Sequence, residues 1–297
     1  MSQTTTIDAY QAVTDRIIEL LEAGTVPWQK PWVEAGLPCN AESRKPYNGI
    51  NVFLLACLGY EKNLFLTWQQ IQQSGGKVKR GEKGHIIVFY KKIQKKDEGK
   101  ENEDANETKK SKTKGFLRYY KVFNVAQCDN LPEKFTIEAM AEPFSPIEQC
   151  ESVINAMPQC PKITVKGEKA FYDPLADSIQ MPTKKLFPKP ESYYATLYHE
   201  LVHSTGHQSR LNRKEVAEKI DFGSESYSLE ELVGEIGAAY LQSFTGIVND
   251  SHKNSAAYIS SWLEVLKKDK HFIFTASRRA QHAVDFILNR IEAKEAA

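Results

Sequence analysis

The chain has 297 residues, a length that suits two domains better than one. Hydrophobic residues make up 41% and charged residues 26%, an ordinary balance for a soluble globular protein, and no run approaches the roughly 18 apolar residues of a membrane span. The formal net charge is +1, but residues 1–135 hold 21 Lys/Arg against 16 Asp/Glu, so the basic excess lies in the first half.

The first predicted element is an amphipathic helix over residues 7–21. Ile7, Val13 and Ile17 fall on one side of it, and Gly24 follows as a stop signal. This segment lacks the basic start and apolar block of a signal peptide. The five cysteines are scattered and form no CxxC pair. We therefore expect a cytoplasmic protein with reduced thiols and no membrane partner.

Two β-like runs flank a strongly charged segment. The runs are HIIVFYKK at residues 85–92 and GFLRYYKVFNV at residues 115–125. Residues 91–114 contain one isoleucine and no other large apolar residue, so we expect a disordered charged loop. Because both runs resemble strands of one sheet, the loop is predicted to be an insertion in a hairpin within one domain.

The domain boundary is indicated by prolines between residues 128 and 146. We predict an N-terminal α+β domain over residues 1–130, a linker over residues 131–145 and a second domain over residues 146–297. In the second domain, a helix near residues 147–156 precedes three short strands and further helices. The strands are predicted at residues 162–166, 169–174 and 178–182, and the helices at residues 192–204, 229–244, 255–269 and 273–293. A small sheet followed by helices is an α+β layout.

The strongest chemical signal is the HExxH motif in YHELVH. His199 and His203 are four residues apart on a predicted helix, so they share a face and can bind one cation. Glu200 projects beside that face, where its carboxylate can accept a proton from a water that the metal activates. The motif predicts one divalent metal, zinc with manganese as the alternative, and Glu200 as a catalytic base. Gly206 follows where the helix should end.

A third metal ligand is available on a second predicted helix, which carries Glu230, Glu231 and Glu235. Because Glu231 and Glu235 are four residues apart, one can bind the metal while the other accepts the free N–H of a histidine ligand. This helix resembles one in thermolysin-like gluzincins, which carries the pattern Glu-x-x-x-Asp. In those proteins the glutamate of the pattern binds zinc. The resemblance assigns Glu231 as the ligand and leaves Glu235 as the histidine's partner or the alternative ligand.

Other residues near the motif are candidates for further roles at the metal site. His207 is an alternative third ligand, although Gly206 is expected to turn the chain first. The candidates for an oxyanion stabiliser are Tyr198, Tyr227 and His207, and none has a recognisable pattern. Small residues on the second helix would let the two helices approach closely, and these are Gly234, Gly237, Ala238 and Ala239.

The first half of the chain alternates aromatic residues with lysine, arginine and glycine turns. Such a surface suits single-stranded nucleic acid, because bases stack on aromatic faces while cations follow the phosphates. The densest basic turn is KVKRGEKG at residues 77–84, whose glycines give phosphate access to the backbone. Core packing is the competing interpretation, and we expect it for Phe65, Trp68, Ile87 and Phe89. The predicted DNA-binding residues are Trp28, Trp32, Tyr47, Lys77, Lys79, Arg80, Lys83, Arg118 and Lys121.

Nearly the whole chain outside the charged loop resembles the ArdC family of plasmid-encoded antirestriction proteins. The N-terminal half is similar to a domain that this family shares with conjugative-plasmid primases. The matching motifs are PW at 27–28 and 31–32, YNGIN at 47–51, TWQQ at 67–70, GGKVKRGEKG at 75–84, YYKVFNVAQC at 119–128, YHELVHSTGH and EELVGEIGAAYL. The resemblance implies a single-stranded-DNA-binding N-terminal domain and a zincin-like C-terminal domain of the gluzincin type. It also implies that the protein protects incoming conjugative plasmid DNA from host restriction.

Two functions are compatible with these motifs. One is an antirestriction protein that acts by binding DNA, with a structural or regulatory metal site. The other is a metallopeptidase that DNA recruits to its targets, resembling DNA–protein crosslink proteases of the SprT type. Glu200 favours chemistry, because a structural metal site needs no base. The expected partners are single-stranded DNA, with double-stranded DNA, host restriction enzymes and other DNA-bound proteins as alternatives.

Overall fold

A computed structural model describes residues 8–28, 37–93, 114–135, 145–217, 224–247 and 256–290. In chain order, the helices are α1 Ala9–Glu22, α2 Ile50–Ala56, α3 Trp68–Gln73, α4 Pro146–Ala156, α5 Pro190–Ser204, α6 Lys214–Ala217, α7 Glu225–Thr245, α8 Ala256–Lys268 and α9 Phe272–Ile287. The strands are β1 Cys39–Asn40, β2 Leu64–Thr67, β3 Lys77–Val78, β4 His85–Ile93, β5 Lys114–Asn124, β6 Cys128–Asp129, β7 Lys162–Val165, β8 Phe171–Asp173 and β9 Ser178–Met181. The mixed helix and sheet content confirms the α+β prediction.

The N-terminal domain contains a sheet with the strand order β1-β2-β5-β4 within the described residues. β4 and β5 form a long antiparallel hairpin that pairs as far as Ile93 with Lys114. This pairing confirms that the two flanking runs are strands of one sheet. It also corrects the limits of the predicted charged loop, because residues 91–93 and 114 belong to the strands. The rest of that loop, residues 94–113, lies outside the described residues.

Helix α2 protects the outer edge of this sheet. It begins after Gly49, which has a positive φ of 56° and therefore a backbone conformation that favours glycine. The Asn51 side chain accepts a hydrogen bond from the Val88 N–H and donates one to the Val88 carbonyl, each at 2.8 Å. A side-chain amide thus satisfies the backbone groups that β4 would otherwise leave unpaired there. These contacts explain the glycine and the second asparagine of the YNGIN motif, Gly49 and Asn51.

The C-terminal domain combines a small sheet with a group of packed helices. The strand order is β7-β9-β8, in which β9 runs parallel to β7 and antiparallel to β8. Helix α5 begins at Pro190, a residue suited to the first helical turn, and lies against α7 along its length. Helix α9 packs against α7 from another side. This layout leaves α5 between the small sheet and the rest of the helices.

One hydrophobic core joins the two domains. Helix α1 packs against α8, and the Thr14 hydroxyl donates to the Lys270 carbonyl at 2.8 Å. Phe53 of α2 stacks on Tyr240 of α7 at a centroid distance of 5.1 Å, and the Tyr240 hydroxyl donates to the Gly49 carbonyl at 2.6 Å. Buried apolar residues from both domains form a continuous cluster. The N-terminal domain and the C-terminal helices are therefore held in a defined arrangement by core packing.

The start of the predicted linker packs onto the N-terminal domain. Phe135 is 3% exposed and lies in a cluster with residues of β2 and β5. Residues 136–144 lie outside the described residues, so the domain limits stay a prediction. All five cysteines are free thiols, as expected. Among the described helices, none is both long enough and apolar enough to cross a membrane.

The shared core predicts different roles for two tryptophans. Trp28 is 2% exposed and contacts Phe53 and Trp262 edge-on, whereas Trp68 is 51% exposed. We expect Trp28→Ala to lower the free energy of unfolding by about 3–5 kcal/mol, because it leaves a cavity between the domains. Trp68→Ala, the matched control, should cost less than about 1 kcal/mol. Urea denaturation measures both, and equal losses would contradict the assignment of Trp28 to the core.

Candidate functional site

The two histidines of the HExxH motif and one glutamate converge where α5 and α7 meet. His199, His203 and Glu231 each offer a ligand atom, and these atoms all lie within 4.8 Å of one another. The two Nε2 atoms are 2.9 Å apart, and the Glu231 carboxylate oxygens lie 3.7 Å from His199 Nε2 and 3.8 Å from His203 Nε2. Two imidazoles and a carboxylate are a usual donor set for a divalent metal such as zinc, so these residues fit the predicted ion.

The remaining imidazole nitrogens face other carboxylates of α7. His199 Nδ1 lies 3.7 Å from Glu235 Oε1, and His203 Nδ1 lies 2.9 Å from Glu230 Oε1. The Glu230 carboxylate is within hydrogen-bond distance and can accept the Nδ1 proton of His203, whereas Glu235 faces His199 Nδ1 at a longer, ion-pair distance. Both Nε2 atoms then remain directed toward the shared point. The position of Glu235 suits the predicted role as partner of a histidine. Glu230 takes the same role for the second histidine, which the sequence pattern does not indicate.

Glu230 is itself held by Arg213, a residue that the sequence analysis misses. The guanidinium binds both carboxylate oxygens, with Nε 2.9 Å from Oε2 and Nη2 2.7 Å from Oε1. Arg213 also donates to Thr205 Oγ1 at 2.6 Å and to the Val202 carbonyl at 2.8 Å. Burial alone would raise the pKa of Glu230, but Arg213 and His203 outweigh it and lower that pKa to about 2. The carboxylate is therefore kept ionised beside the histidine.

Glycines make the close packing of α5 on α7 possible. A Cβ at Gly234 would lie 2.8 Å from His199 Cε1 and from His203 Nε2, and one at Gly237 would lie 2.7 Å from a Val202 methyl group. These contacts confirm that small residues let the helices approach. Gly206 follows the end of α5 at Ser204, as predicted, although its φ is not positive. A Cβ at Gly206 would lie 2.5 Å from a Val216 methyl group, so the glycine leaves room for Val216.

The predicted base, Glu200, lies between the metal cluster and the small sheet. Its Oε2 accepts a hydrogen bond from the backbone N–H of Tyr172, on strand β8, at 2.8 Å. Burial raises the pKa of the Glu200 carboxyl, while His203 and the Tyr172 N–H act in the opposite direction. The contact fixes one oxygen of the carboxylate and leaves the other to interact with water or substrate.

A buried arginine ties strand β8 to the end of α5. Arg210 pairs with Asp177 and donates to the Ser204 carbonyl at 2.7 Å. Asp177 also accepts a hydrogen bond from the Tyr172 hydroxyl at 2.8 Å. Since only 2% of the Arg210 side chain is exposed, these charge-assisted contacts lie in a protected environment. They position the strand whose backbone contacts Glu200.

The three candidate oxyanion stabilisers occupy different environments. Tyr198 is 0% exposed in the hydrophobic core, and burial strongly raises the pKa of its hydroxyl, so it is unsuited to contact a substrate. His207 lies beyond the end of α5 with Nδ1 2.8 Å from Ser209 Oγ, and it is not part of the cluster of metal-binding atoms. Tyr227 is half-buried on α7, one turn before Glu231. Its position keeps it as a candidate.

The predicted DNA-binding residues do not form one surface. The prediction that Trp28 binds DNA is wrong, because its ring is buried against Phe53 and Trp262 and offers no face to a base. Tyr47 is half-buried against Phe65, with ring centroids 6.4 Å apart. Trp32 lies outside the described residues. The six cations Lys77, Lys79, Arg80, Lys83, Arg118 and Lys121 are all exposed.

The described cations lie on the basic turn and on β5. The Lys79 ammonium donates to the Ala126 carbonyl at 2.8 Å, which anchors the turn beside the end of β5. Gly84 packs against Lys121, because a Cβ there would lie 3.0 Å from the Lys121 Cβ. The turn over residues 77–84 therefore adjoins Lys121 on one face of β5.

Exposed aromatic residues accompany these cations on the β4–β5 hairpin. The expectation of core packing is confirmed for Phe65 and Ile87 but is wrong for Trp68 and Phe89, which are 51% and 48% exposed. Trp68 opens a short outer helix, and Phe89 lies on the hairpin beyond the buried Ile87. Phe89 is paired across the strands with Arg118 and contacts Tyr120 edge-on at 5.5 Å. The hairpin thus presents two aromatic rings and a cation on one face.

Two families match this chain in consecutive parts. One is described as the N-terminal domain of anti-restriction factor ArdC and matches residues 7–123. The other is described as a zincin-like metallopeptidase and matches residues 148–279. The matches support the two-domain architecture and assign the part of the chain that contains α5 and α7 to the zincin-like fold.

Solved structures and curated sequences extend the similarity to nearly the whole chain. The metal-free crystal structure of the antirestriction protein ArdC from plasmid R388 is 37% identical with a TM-score of 0.75, and covers 96% of this chain and 98% of that one. The Mn(II)-bound structure of the same protein is 35% identical with a TM-score of 0.76, and the match covers 97% of this chain and 100% of that one. Two DNA primases TraC of Escherichia coli are 39% and 35% identical over 94% of this chain. The chain spans 27% and 20% of the lengths of those primases.

The packing around Gly234 gives a test of the metal cluster. We expect Gly234→Ala to lower the affinity for zinc or manganese by about tenfold to a hundredfold, because the added methyl group displaces both imidazoles. Gly237→Ala is the matched control, since its methyl group meets Val202 and disturbs the same helix pair without contacting a ligand. Metal titration together with thermal unfolding separates the two effects. Unchanged metal affinity in Gly234→Ala would show that the histidines do not need this close approach.

Proposed function

Because the chain belongs to the ArdC family of antirestriction proteins, we propose that it binds single-stranded DNA and protects incoming conjugative plasmid DNA from host restriction. Protection requires that the protein occupies the strand or prevents the nuclease from reaching it. The N-terminal domain carries the binding in this proposal. The C-terminal domain carries one divalent metal, whose removal should affect the fold as well as any chemistry.

The observation that supports DNA binding best is the exposed aromatic and basic surface of the β4–β5 hairpin. Phe89 and Tyr120 offer ring faces to bases, and Arg118 lies directly across from Phe89. On the other face of β5, Tyr119 is 39% exposed beside Lys121. Stacking on aromatic rings and attraction of phosphates by cations require no particular base sequence. We therefore propose binding with little sequence preference.

The proposed metal ligands are His199, His203 and Glu231, with Glu235 as the alternative to Glu231. Zinc is the proposed ion and manganese the alternative, which the Mn(II)-bound structure of the R388 relative supports. A divalent metal in such a site lowers the pKa of its water to about 7. The adjacent Glu200 carboxylate, oriented by the Tyr172 N–H, is suited to accept a proton there.

A second candidate function is a metallopeptidase that cleaves proteins on DNA, including host restriction enzymes. The observation that favours it is the position of Glu200, which a purely structural metal site would not need. In that case the DNA surface would bring the metal centre to its protein substrate. Antirestriction by binding alone is the preferred proposal, because occupancy of the strand is sufficient for protection.

The hairpin surface predicts which aromatic residues matter for DNA. We expect Phe89→Ala/Tyr120→Ala to weaken binding of a single-stranded oligonucleotide by about tenfold or more, because each stacked base contributes roughly 1–3 kcal/mol. The control is Phe171→Ala, which removes an exposed ring from the small sheet of the C-terminal domain. Fluorescence anisotropy at fixed salt measures the affinity. If the hairpin variant binds as tightly as the control, the hairpin is not the stacking surface.

The two candidate functions differ in what they require of Glu200. We expect Glu200→Gln to keep metal content, DNA binding and protection of DNA in a purified restriction digest, because the glutamine oxygen can still accept the Tyr172 N–H. His203→Ala should lose the metal and destabilise the C-terminal domain. Metal analysis, thermal unfolding and digestion of plasmid DNA test both variants. A folded, metal-loaded and DNA-binding Glu200→Gln protein that no longer protects DNA would favour the peptidase.

A further inference from the structure

A large cleft lies between the N-terminal domain and α9. Its volume is about 1240 Å³, and its walls come from α1, α2, the β4–β5 hairpin, the turn after α5, and α9. His199, His203 and Glu231 do not line it, so the cleft is a different space from the candidate metal site, although Arg213 borders both. Small-molecule pockets usually measure roughly 300–1,000 Å³. The cleft is therefore large enough to hold several linked chemical groups.

The charges of the cleft favour an anionic ligand. Four cations and two carboxylates line it, namely Arg213, Lys214, Arg278, Arg279, Glu215 and Asp285. Arg279 pairs with Glu215 at 2.8 Å, and Arg213 is bound within the metal centre. In the part of the chain that the structure describes, neither Lys214 nor Arg278 has an ion-pair partner, and both remain accessible to a phosphate.

The cleft also contains aromatic rings of the kind that nucleic-acid bases contact. Tyr10 lies 4.3 Å from the His271 ring and 4.8 Å from the Phe274 ring, measured between centroids. All three residues line the cleft, as do Asn48 and Gln281. Aromatic rings beside available cations are the combination that single-stranded nucleic acid requires.

One face of β5 carries both a residue that lines the cleft and exposed residues outside it. Leu117 lines the cleft, and because strand residues alternate between faces, Tyr119 and Lys121 lie on the same face further along β5. Lys121 adjoins Gly84 at the end of the basic turn. A strand that leaves the cleft along β5 would therefore pass an exposed tyrosine and a lysine before it reaches that turn.

We propose that the interdomain cleft is a second binding site for single-stranded nucleic acid, in which Lys214 and Arg278 contact phosphates and the Tyr10–His271 pair contacts a base. The inference rests on the proposed binding of single-stranded DNA and extends it to the C-terminal domain. One strand would then cross both domains. Because Lys214 directly follows Arg213, the bound strand would also lie next to the residue that supports Glu230 and His203.

The test compares two charge-matched double variants of the full-length protein. Lys214→Ala/Arg278→Ala removes the two available cations of the cleft, and Lys162→Ala/Lys166→Ala removes two exposed lysines at the ends of β7. We expect the cleft variant alone to weaken binding of a long single-stranded oligonucleotide by about threefold to tenfold. In a plot of the logarithm of the binding constant against the logarithm of the salt concentration, the magnitude of the slope should fall by about 0.7 for each phosphate that the variant no longer neutralises. Thermal unfolding and metal content check that both variants are folded.

A second measurement uses the unmodified protein. An oligonucleotide that contains 5-iodouracil should crosslink to Tyr10 or His271 on irradiation, and peptide mapping by mass spectrometry identifies the site. If the wild-type protein binds no single-stranded DNA at low salt, the proposed function fails and this inference fails with it. If it binds, and the hairpin variant weakens binding while the cleft variant matches its control and no crosslink forms in the cleft, this inference alone is wrong.

Discussion

The packing of α5 against α7 is the interaction on which the rest of the structure depends. Gly234 and Gly237 remove the side chains that would separate the two helices, so the imidazoles of His199 and His203 lie directly against α7. The carboxylates of α7 then reach both nitrogens of each ring. A metal site of this kind needs two rigid elements at a short, fixed separation, and helix packing supplies it.

Helix α7 also connects that centre to the N-terminal domain. About one and a half turns beyond Glu235, Tyr240 stacks on Phe53 and donates to the Gly49 carbonyl. Arg213, on the same side of the molecule, lines the interdomain cleft and binds Glu230. The metal centre and the proposed DNA surfaces are therefore linked through packed side chains. Any effect of DNA on the metal centre would act through this packing.

Local sequence patterns predict much of the metal centre, and long-range contacts account for what they miss. His199, Glu200 and His203 follow from spacing on one helix, and the helix carrying Glu231 and Glu235 follows from the same periodicity. The contact of Arg213 with Glu230 depends on the path of the turn after α5, which leaves no periodic signal. Aromatic residues next to lysines cannot be divided into buried and exposed from sequence alone, because both environments use the same residue types. For this reason the predictions for three residues are wrong: Trp28 lies in the core, whereas Trp68 and Phe89 lie on the surface.

The packing of α1 on the last helices has a consequence for how the chain reaches its native state. The hydrogen bond from Thr14 to Lys270 joins residues 256 positions apart. Contacts of such large sequence separation form late and slow the folding of a domain. During synthesis, which proceeds from the N-terminus at roughly 5–20 residues per second, the part of α1 that does not contact β5 stays uncovered until α8 and α9 have been made. The nascent chain must keep that face from associating with other proteins while the residues between α1 and α8 are synthesised.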